Sequence, residues 1–255
     1  MLSQQTLQTL IDLGLRGMAT TYRAQLSEPD VHHLSFDERL GLLVDREWSD
    51  RQARSLSRRL QEARLRLTSA CPEDIIFDPV RGLDRALVRT LAEGRYLTEH
   101  QCVLITGPTG VGKSYLACAL ANAACRRGFS ARYFRAANLV ADLSLARADG
   151  SRPRLSAKLG RTDLLVIDDW GLSTLSLAES ADLLDVIDQR CGNRSTLMAS
   201  QLPVDRWHAV MADPTIADAV LDRLVHGAYH IQLQGESLRK VKAHPANPTE
   251  SSPST

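Results

Sequence analysis

The sequence lacks the features of a membrane protein and of a disulfide-rich secreted protein. No apolar run in its 255 residues approaches the roughly 18 residues that a membrane-spanning helix needs. Residues 1–10 do not show a basic segment followed by an apolar one, so no secretion signal is predicted. The five cysteines form no CxxC pair, and their odd number argues against a disulfide framework. We therefore expect a cytoplasmic protein whose cysteines are buried and reduced.

Lysine is also scarce, with four residues against 27 arginines. The planar guanidinium group binds phosphate well, although a coding bias would produce the same excess. Apolar residues at 44% and charged residues at 24% are average for a globular protein, which excludes a largely disordered chain and a fibrous repeat. The length suits one large domain, or one domain with a small accessory.

The net charge of +1 conceals a strong segregation of charge along the chain. Residues 126–161 contain nine basic residues against two acidic ones, a net charge of +7. Residues 162–222 contain three basic residues against eleven acidic ones, a net charge of −8. This distribution predicts a cationic patch that faces an anionic partner.

The first 67 residues have the apolar spacing of helices. Ser35, followed three residues later by Glu38, forms a capping box that predicts the start of a helix. Another helix is expected from about Ser49 to Leu67. We therefore predict a helical N-terminal domain over residues 1–67, followed by a linker over residues 68–82 that contains two prolines.

Beyond residue 82 the pattern changes to short apolar strands that alternate with helices. An alanine-rich helix is predicted over Ser114–Arg127. The candidate strands are Cys102–Thr106, Arg132–Phe134, Leu164–Ile167, Thr196–Ser200 and Tyr229–Leu233. Such alternation predicts a parallel sheet covered on both faces, and hence an α/β domain over residues 83–242. The tail, residues 243–255, has three prolines and no periodicity and is predicted to be disordered.

One motif carries a specific chemistry, because the segment GPTGVGKS matches GxxxxGK[ST] in full. It follows an apolar strand and opens a helix, so its backbone N–H groups would surround phosphates at a helix N-terminus. Lys113 should reach the β- and γ-phosphates, and the Ser114 hydroxyl should bind Mg²⁺. The predicted ATP-binding residues are Gly107, Pro108, Thr109, Gly110, Val111, Gly112, Lys113, Ser114 and Tyr115.

A Mg²⁺-nucleotide site also needs a carboxylate at the end of a neighbouring strand. Four apolar residues, 164–167, are followed by Asp168 and Asp169. By position Asp168 is the carboxylate on the metal side, and Asp169 is the candidate for polarising the attacking water. The two acids could instead form a solvated turn.

These motifs resemble those of AAA+ ATPases, and more narrowly of the branch that contains the helicase loader DnaC and the transposition helper IstB. The most specific stretches are Gly82–Leu97, the phosphate loop, Asp163–Leu172, Met198–His208 and Ala217–Lys240. The resemblance implies an α/β P-loop AAA+ fold, a three-layer domain with a parallel sheet, preceded by a small all-α N-terminal domain. The last two stretches look like the transposition helpers rather than the loaders.

The resemblance also assigns roles by position. Gln201 matches the sensor-1 polar residue, where many AAA+ proteins carry asparagine, and Asp169 stands where the wider superfamily has glutamate. Arg223 matches the arginine finger that reaches the nucleotide of an adjacent subunit. From the residues alone, the favoured role of Arg223 is to complement the dipole at the end of its helix, and only the resemblance favours the finger. Arg239 matches the sensor-2 arginine, which contacts nucleotide within its own subunit.

In this branch an extra helical element before the Asp168 strand faces nucleic acid. Here it falls within about residues 136–158, inside the segment of net charge +7. The resulting DNA-binding candidates are Arg147, Arg152, Arg154 and Lys158, with a solvated loop as the alternative. They would contact phosphate and give affinity with little sequence preference.

Together these features imply an ATPase that binds ATP and Mg²⁺, oligomerises on double-stranded DNA and assists a transposase. The expected partners are duplex DNA, the cognate transposase and further copies of the chain. A replicative helicase loader and a non-hydrolysing, nucleotide-gated DNA scaffold are the alternatives. A transporter ATPase is disfavoured because the sequence has no LSGGQ-type signature.

Overall fold

The structure, a computed structural model, describes residues 2–28, 31 and 33–238 of the chain. Two compact units are distinguished, Met1–Arg58 and Arg59–Thr255, and the boundary falls within a helix. The tail predicted to be disordered, residues 243–255, lies outside the described residues, as does Arg239.

The first unit is helical, with α1 at Leu2–Asp12, α2 at Arg16–Ser27 and the greater part of α3 at Phe36–Ala63. Helices α2 and α3 meet at Gly17, where a Cβ atom would lie 2.7 Å from the Cα atom of Glu47. The buried Glu47 carboxylate accepts a hydrogen bond of 2.8 Å from the Gly17 N–H. It therefore satisfies a free donor at the start of α2.

The capping box is confirmed, since Ser35 N–H donates to Glu38 at 2.8 Å and α3 begins at Phe36. The separate helix predicted from Ser49 is wrong, because α3 continues through this position to Ala63. No glycine or proline lies between residues 42 and 63, so nothing in the backbone interrupts the helix. It ends where Arg64 adopts a left-handed φ of 51°, earlier than the predicted Leu67.

The second unit contains a parallel sheet of five strands in the order β2-β3-β4-β1-β5. The strands are β1 at Val103–Thr106, β2 at Ala131–Arg135, β3 at Leu164–Trp170, β4 at Ser195–Ser200 and β5 at Tyr229–Gln232. Every predicted strand boundary but one is confirmed to within one residue. Strand β3 is the exception at its end, because it runs three residues beyond the predicted Ile167.

Helices cover both faces of the sheet, in line with the predicted three-layer α/β fold. They are α4 at Arg85–Ala92, α5 at Arg95–Thr98, α6 at Lys113–Arg126, α7 at Ala136–Ala148, α8 at Arg152–Arg161, α9 at Leu177–Arg190 and α10 at Pro214–Val225. Helix α6 packs on strands β1 to β4. Alternate strand residues, such as Leu104 and Leu165, instead join a core with α7, α9 and α10.

The parallel strands bring three predicted motifs to one edge of the sheet. The phosphate loop follows β1, the aspartate pair lies near the end of β3, and Gln201 follows β4. Strands β3 and β4 are paired, and so are β4 and β1. The carboxyl ends of adjacent parallel strands are where α/β proteins bind ligands.

The five cysteines are free, but only Cys118 and Cys125 are buried. Cys71 and Cys102 are half-buried and Cys191 is exposed, so the expectation that all five are buried is wrong for these three. Cys191 follows the last residue of α9, at a turn where the chain meets solvent. In the described part of the chain, no helix is both long and apolar enough to cross a membrane.

Candidate nucleotide site

The phosphate loop, residues 107–112, turns sharply between β1 and α6. Gly107 has a φ of 145°, and a Cβ atom there would lie 2.3 Å from the carbonyl oxygen of Leu233. Gly110 has a φ of 87°, and its Cβ atom would lie 2.1 Å from the Ser237 hydroxyl oxygen. A side chain at either position would clash, so the two glycines let the loop lie against the segment that follows β5.

Lys113, the first residue of α6, folds its side chain back over the loop. Its ammonium group donates hydrogen bonds of 2.6 and 2.7 Å to the carbonyl oxygens of Gly107 and Pro108. Burial lowers the pKa of Lys113, whereas the nearby Asp168 and Asp169 raise it. The loop therefore holds a positive charge where the motif predicts the β- and γ-phosphates.

Asp168 is fully buried, and both of its carboxylate oxygens accept hydrogen bonds. The Tyr133 hydroxyl donates to one oxygen at 2.6 Å, and the Asp169 N–H donates to the other at 2.8 Å. Burial, and then the bond to Asp168, raise the pKa of Tyr133 well above its usual value, so the phenol keeps its proton. The reading of Asp168 as a solvated turn residue is wrong, because Asp168 pairs with Arg135 inside the sheet.

Tyr133→Phe removes a hydrogen-bond donor from this buried carboxylate. We expect the free energy of unfolding to fall by about 1.5–3 kcal/mol, the range for a bond to a charged group. Urea denaturation of the wild type and the variant measures this change. Tyr229→Phe is the control, since Tyr229 is half-buried and its hydroxyl has no hydrogen bond to another described residue. Equal losses in the two variants would contradict the role given to Tyr133.

Asp169 adopts a left-handed φ of 59°, unusual for a residue other than glycine. The pairing between β3 and β4 shifts register at this point, between Ile167 and Trp170, as in a β-bulge. The bulge explains why β3 continues beyond the predicted end. It also turns the Asp169 side chain toward the cavity beside the loop, where it lies close to two arginines, 3.6 Å from Arg66 and 3.4 Å from Arg135.

Gln201 lies directly after β4 and contacts the phosphate loop. Its side-chain oxygen accepts a hydrogen bond of 2.7 Å from the Thr109 hydroxyl. This contact joins two residues that are 92 positions apart in the sequence. The predicted sensor-1 residue is thus brought next to the loop.

A cavity of about 600 Å³ opens beside the loop and has the size of a small-molecule site. Predicted site residues lining it are Thr109, Gly110, Gly112, Lys113, Ser114, Tyr115, Asp169 and Gln201. Burial raises the pKa of Tyr115. The side chains that would hold a metal ion are the Ser114 hydroxyl, which lines the cavity, and the Asp168 carboxylate, which is buried near Lys113. Both are oxygen ligands of the kind Mg²⁺ prefers, and Mg²⁺ usually completes its shell with phosphate oxygens and water, so the residues present fit this ion.

Another wall of the cavity comes from residues 66–83, a segment that consists mainly of the predicted linker over residues 68–82. Its contributing residues are Arg66, Leu67, Ser69, Asp74, Ile75, Ile76, Arg81 and Leu83. The two prolines of this segment begin short 3₁₀ turns at Pro72–Asp74 and Pro79–Arg81. The adjacent apolar residues Ile75 and Ile76 were the signal that this segment contacts something, because a solvated linker rarely contains such a pair.

Arg81 connects this wall to the phosphate loop through hydrogen bonds. Its guanidinium group is buried and donates to the carbonyl oxygen of Val111 at 2.6 Å and to that of Ile76. Burial lowers the pKa of Arg81. Because its hydrogen bonds go to backbone carbonyl oxygens, this buried arginine holds the backbone in place. It does not add charge to the solvent-exposed surface.

Arg223 lies near the end of α10, away from the cavity. Its Nε atom donates to Asp188 of α9 at 2.7 Å. It borders a cleft with residues 99–102 and 190–194, which precede β1 and β4. Arg223 is therefore beside the amino ends of these strands, whereas the phosphate loop follows their carboxyl ends.

Arg239, the predicted sensor-2 residue, lies outside the described residues. The described segment that leads to it runs along the phosphate loop. Leu238 N–H donates to the Gly110 carbonyl oxygen at 3.0 Å, and Leu238 lines the cavity.

The four predicted DNA contacts fall into two groups. Arg147 binds Asp182 at 2.8 Å, and Arg152 binds Asp182 at 3.2 Å and Asp185 at 3.1 Å. Arg154 and Lys158 are exposed, and within the described residues no carboxylate lies within 4 Å of either. The acidic residues of α9 therefore neutralise half of the predicted set.

Comparison with known proteins places these features in a family. The sequence profile described as "IstB-like ATP binding protein" matches residues 8–246. The insertion sequence ATP-binding protein y4pL of Sinorhizobium fredii is 49% identical over 240 residues, which are 94% of this chain and 98% of the relative. The ATP-binding protein of insertion sequence IS1162 from Pseudomonas fluorescens is 47% identical, over 80% of this chain and 88% of its own.

Solved structures share the fold at low sequence identity. The DnaC helicase loader aligns with a TM-score of 0.57 and 20% identity, over 65% of this chain and 97% of its own. The replication initiator DnaA bound to AMPPCP and single-stranded DNA aligns with a TM-score of 0.57 and 17% identity. That match covers 71% of this chain but only 57% of the DnaA chain. These likenesses confirm the predicted fold class.

Proposed function

Because the chain belongs to the family of IstB-like ATP-binding proteins, we propose that it is a Mg²⁺-dependent ATPase that oligomerises on double-stranded DNA and assists a transposase. The family and the cavity support ATP as the ligand. Hydrolysis, DNA binding and the transposase are the further steps of this proposal.

One observation carries the ATPase assignment. Lys113 and Ser114 of the loop, Asp168 and Asp169 of β3 and Gln201 after β4 come together at one edge of the sheet. Lys113 and the loop N–H groups hold the phosphates, and Ser114 with Asp168 would hold Mg²⁺, which would supply positive charge next to the phosphates. Asp169 accepts a proton from the attacking water, and Gln201 orients that water.

The position of Arg223 supports an oligomer. Within one chain it lies beside the amino ends of β1 and β4, whereas the phosphate loop lies at the carboxyl ends of the strands. An arginine that stabilises charge on the transferred phosphate must contact that phosphate. Arg223 can therefore act only on ATP bound to an adjacent subunit, and each active site needs two chains. Arg239, which follows the segment on the loop, would contact ATP within its own subunit.

The DNA contacts are assigned to Arg154 and Lys158 before Arg147 and Arg152. The first two present charge that no described carboxylate neutralises, whereas the latter two bind Asp182 and Asp185. Contacts to phosphate give affinity that is independent of sequence and sensitive to salt.

Sedimentation with duplex and single-stranded DNA, with and without Mg²⁺-ATP, tests the proposal. We expect ATP-dependent assembly on duplex DNA. If six to ten phosphates are contacted, the affinity should fall about 10³- to 10⁵-fold between 50 and 200 mM salt. Adding the assembled protein to a transposase strand-transfer reaction should raise the yield, and Lys113→Ala should remove this gain.

The alternatives give different results in the same experiment. Assembly on single-stranded DNA alone would favour a helicase loader. Assembly on duplex DNA without release of phosphate from ATP would favour a nucleotide-gated scaffold. Equal sedimentation with and without nucleotide would contradict ATP-dependent assembly altogether.

A further inference from the structure

A second cleft lies beside β2, the strand at one edge of the sheet, and we call it the edge cleft. Its charged and polar lining consists of Arg64, Arg66, Tyr133, Arg135, Asn138 and Asp142. Three of these six side chains are arginines, and only one is acidic. The residues belong to the segment after α3, to β2 and to α7, so the cleft is built from three separate parts of the second unit.

The backbone directs the three arginines into this cleft. Arg64 directly follows α3 and has a left-handed φ of 51°. Arg66 follows two residues later, and Arg135 is the last residue of β2. A left-handed residue directly after a helix is a common way for a helix to end, and here it places Arg64 and Arg66 in the segment that lines the cleft.

Further positive charge adjoins Arg64 outside the cleft. Arg132, Arg64 and Arg154 all lower the pKa of Lys158, with Arg132 the largest cause, so these groups are close enough to repel one another. Burial, and then Arg64, lower the pKa of Arg132. Glu62 is the acid that favours the charged forms of both Arg132 and Lys158.

This charge is not balanced by ion pairs. Across residues 2–28, 31 and 33–238, no carboxylate lies within 4 Å of a nitrogen of Arg64, Arg132, Arg154 or Lys158. Other exposed arginines do have such a partner, for example Arg89 with Glu93 and Arg95 with Glu99. Like charges held together without an ion pair disfavour their own charged forms, and a bound anion would relieve the repulsion that Glu62 offsets only in part.

We propose that the edge cleft binds backbone phosphates of DNA, with Arg64 and Arg132 as phosphate contacts that extend the surface formed by Arg154 and Lys158. This inference rests on the proposed function and names where the DNA lies. The planar guanidinium fork matches two phosphate oxygens at once. A site built from three arginines and a lysine recognises charge rather than base sequence.

The edge cleft also adjoins the proposed active site. Arg66 and Arg135 lie 3.6 and 3.4 Å from the same oxygen of Asp169, which faces the nucleotide cavity. A phosphate in the cleft competes with Asp169 for these two arginines. DNA binding therefore frees the carboxylate that accepts the proton from water, and DNA should raise the rate of ATP turnover.

The test is the double variant Arg64→Ala/Arg132→Ala, since neither residue contacts Asp168 or Asp169. Duplex binding is measured between 50 and 200 mM salt, and ATP turnover with and without DNA. We expect the slope of log affinity against log salt to become less steep by about 1.8, because about 0.9 is lost for each phosphate contact. Turnover without DNA should match the wild type, and the stimulation by DNA should disappear.

Two further variants show whether the change in salt dependence comes from the position of the two arginines, from their charge or from a loss of protein stability. Arg89→Ala/Arg95→Ala removes two exposed arginines that have ion-pair partners, and it should keep the wild-type slope. Arg64→Lys/Arg132→Lys keeps the charge and should restore the slope. An unchanged slope in Arg64→Ala/Arg132→Ala, or equal losses in Arg89→Ala/Arg95→Ala, would overturn the inference while leaving the proposed function intact.

The wild type distinguishes the remaining outcomes. Failure of the wild type to bind DNA under any nucleotide condition would overturn the proposed function and this inference with it. Inorganic pyrophosphate is the probe for a free phosphate ligand. If pyrophosphate alone stimulates wild-type turnover and Arg64→Ala/Arg132→Ala abolishes the effect, the cleft binds free phosphate and the assignment to DNA is wrong.

Discussion

Arg223→Ala is expected to bind ATP as the wild type does and to lose ATP turnover by about 10³-fold or more. This is the lower end of the effect of an arginine that stabilises the transferred phosphate. ATP affinity should not change, because in its own chain Arg223 lies beside the amino ends of the strands and the cavity lies at their carboxyl ends. Nucleotide binding by fluorescence and phosphate release measure the two quantities separately.

Asp188→Ala is the matched control for this variant. It removes the same ion pair, 2.7 Å between Arg223 and Asp188, but leaves the arginine in place. The pair is exposed, and such pairs contribute at most about 1 kcal/mol. Asp188→Ala should therefore retain turnover within a few-fold. Loss of turnover in both variants would mean that the ion pair, rather than the arginine itself, is what the enzyme needs.

Mixing two inactive variants tests whether Arg223 acts on an adjacent subunit. Arg223→Ala keeps an intact phosphate loop, and Lys113→Ala keeps an intact Arg223. Where a Lys113→Ala subunit presents its Arg223 to the loop of an Arg223→Ala subunit, one complete site forms. We expect the mixture to recover part of the turnover. A mixture as inactive as its components would contradict an active site shared between chains.

The site residues could be predicted from the sequence where their function fixes a local pattern. The loop glycines and Lys113 are contiguous, since one turn at a helix N-terminus must surround the phosphates. Asp168 follows a run of apolar residues because it lies in a buried strand. In both cases neighbours in the sequence carry the constraint.

The remaining features depend on contacts between distant residues. The hydrogen bond between Thr109 and Gln201 spans 92 positions, and Arg81 meets Val111 across 30. Asp169 lies near Arg66 and Arg135 only because a bulge in β3 turns its backbone. No period or motif in the sequence contains these pairings. For the wall formed by residues 66–83, Ile75 and Ile76 indicate that the segment makes contacts, but no local pattern shows that the phosphate loop is what it contacts.

The charge pattern of the sequence predicted which segment is cationic, but not which of its residues are available to an anion. The segment of net charge +7 does contain Arg132 and Lys158, which adjoin the edge cleft. It also contains Arg147 and Arg152, which the acidic segment neutralises through Asp182 and Asp185. A count along the chain cannot separate these groups, because pairing between segments decides which charges remain available.

When it is the only variant present, Lys113→Ala is expected to abolish detectable ATP binding, and with it self-assembly and turnover. Two unit charges 4 Å apart interact by about 4 kcal/mol near a protein surface, which corresponds to about 10³-fold in affinity. ATP at 100 times its Kd stabilises the wild type by about 2.7 kcal/mol. Thermal unfolding with and without Mg²⁺-ATP should therefore show a higher Tm for the wild type with ATP and no shift for Lys113→Ala.

The same measurement separates loss of binding from damage to the loop. Lys113 also donates to the carbonyl oxygens of Gly107 and Pro108, so Lys113→Ala is expected to have a lower Tm even without nucleotide. Lys158→Ala is the control for loss of a lysine, because its side chain does not line the cavity. It should keep the full ATP-dependent shift. A wild-type shift in Lys113→Ala would mean that the loop binds ATP through its N–H groups alone, and that the lysine serves only the later chemical step.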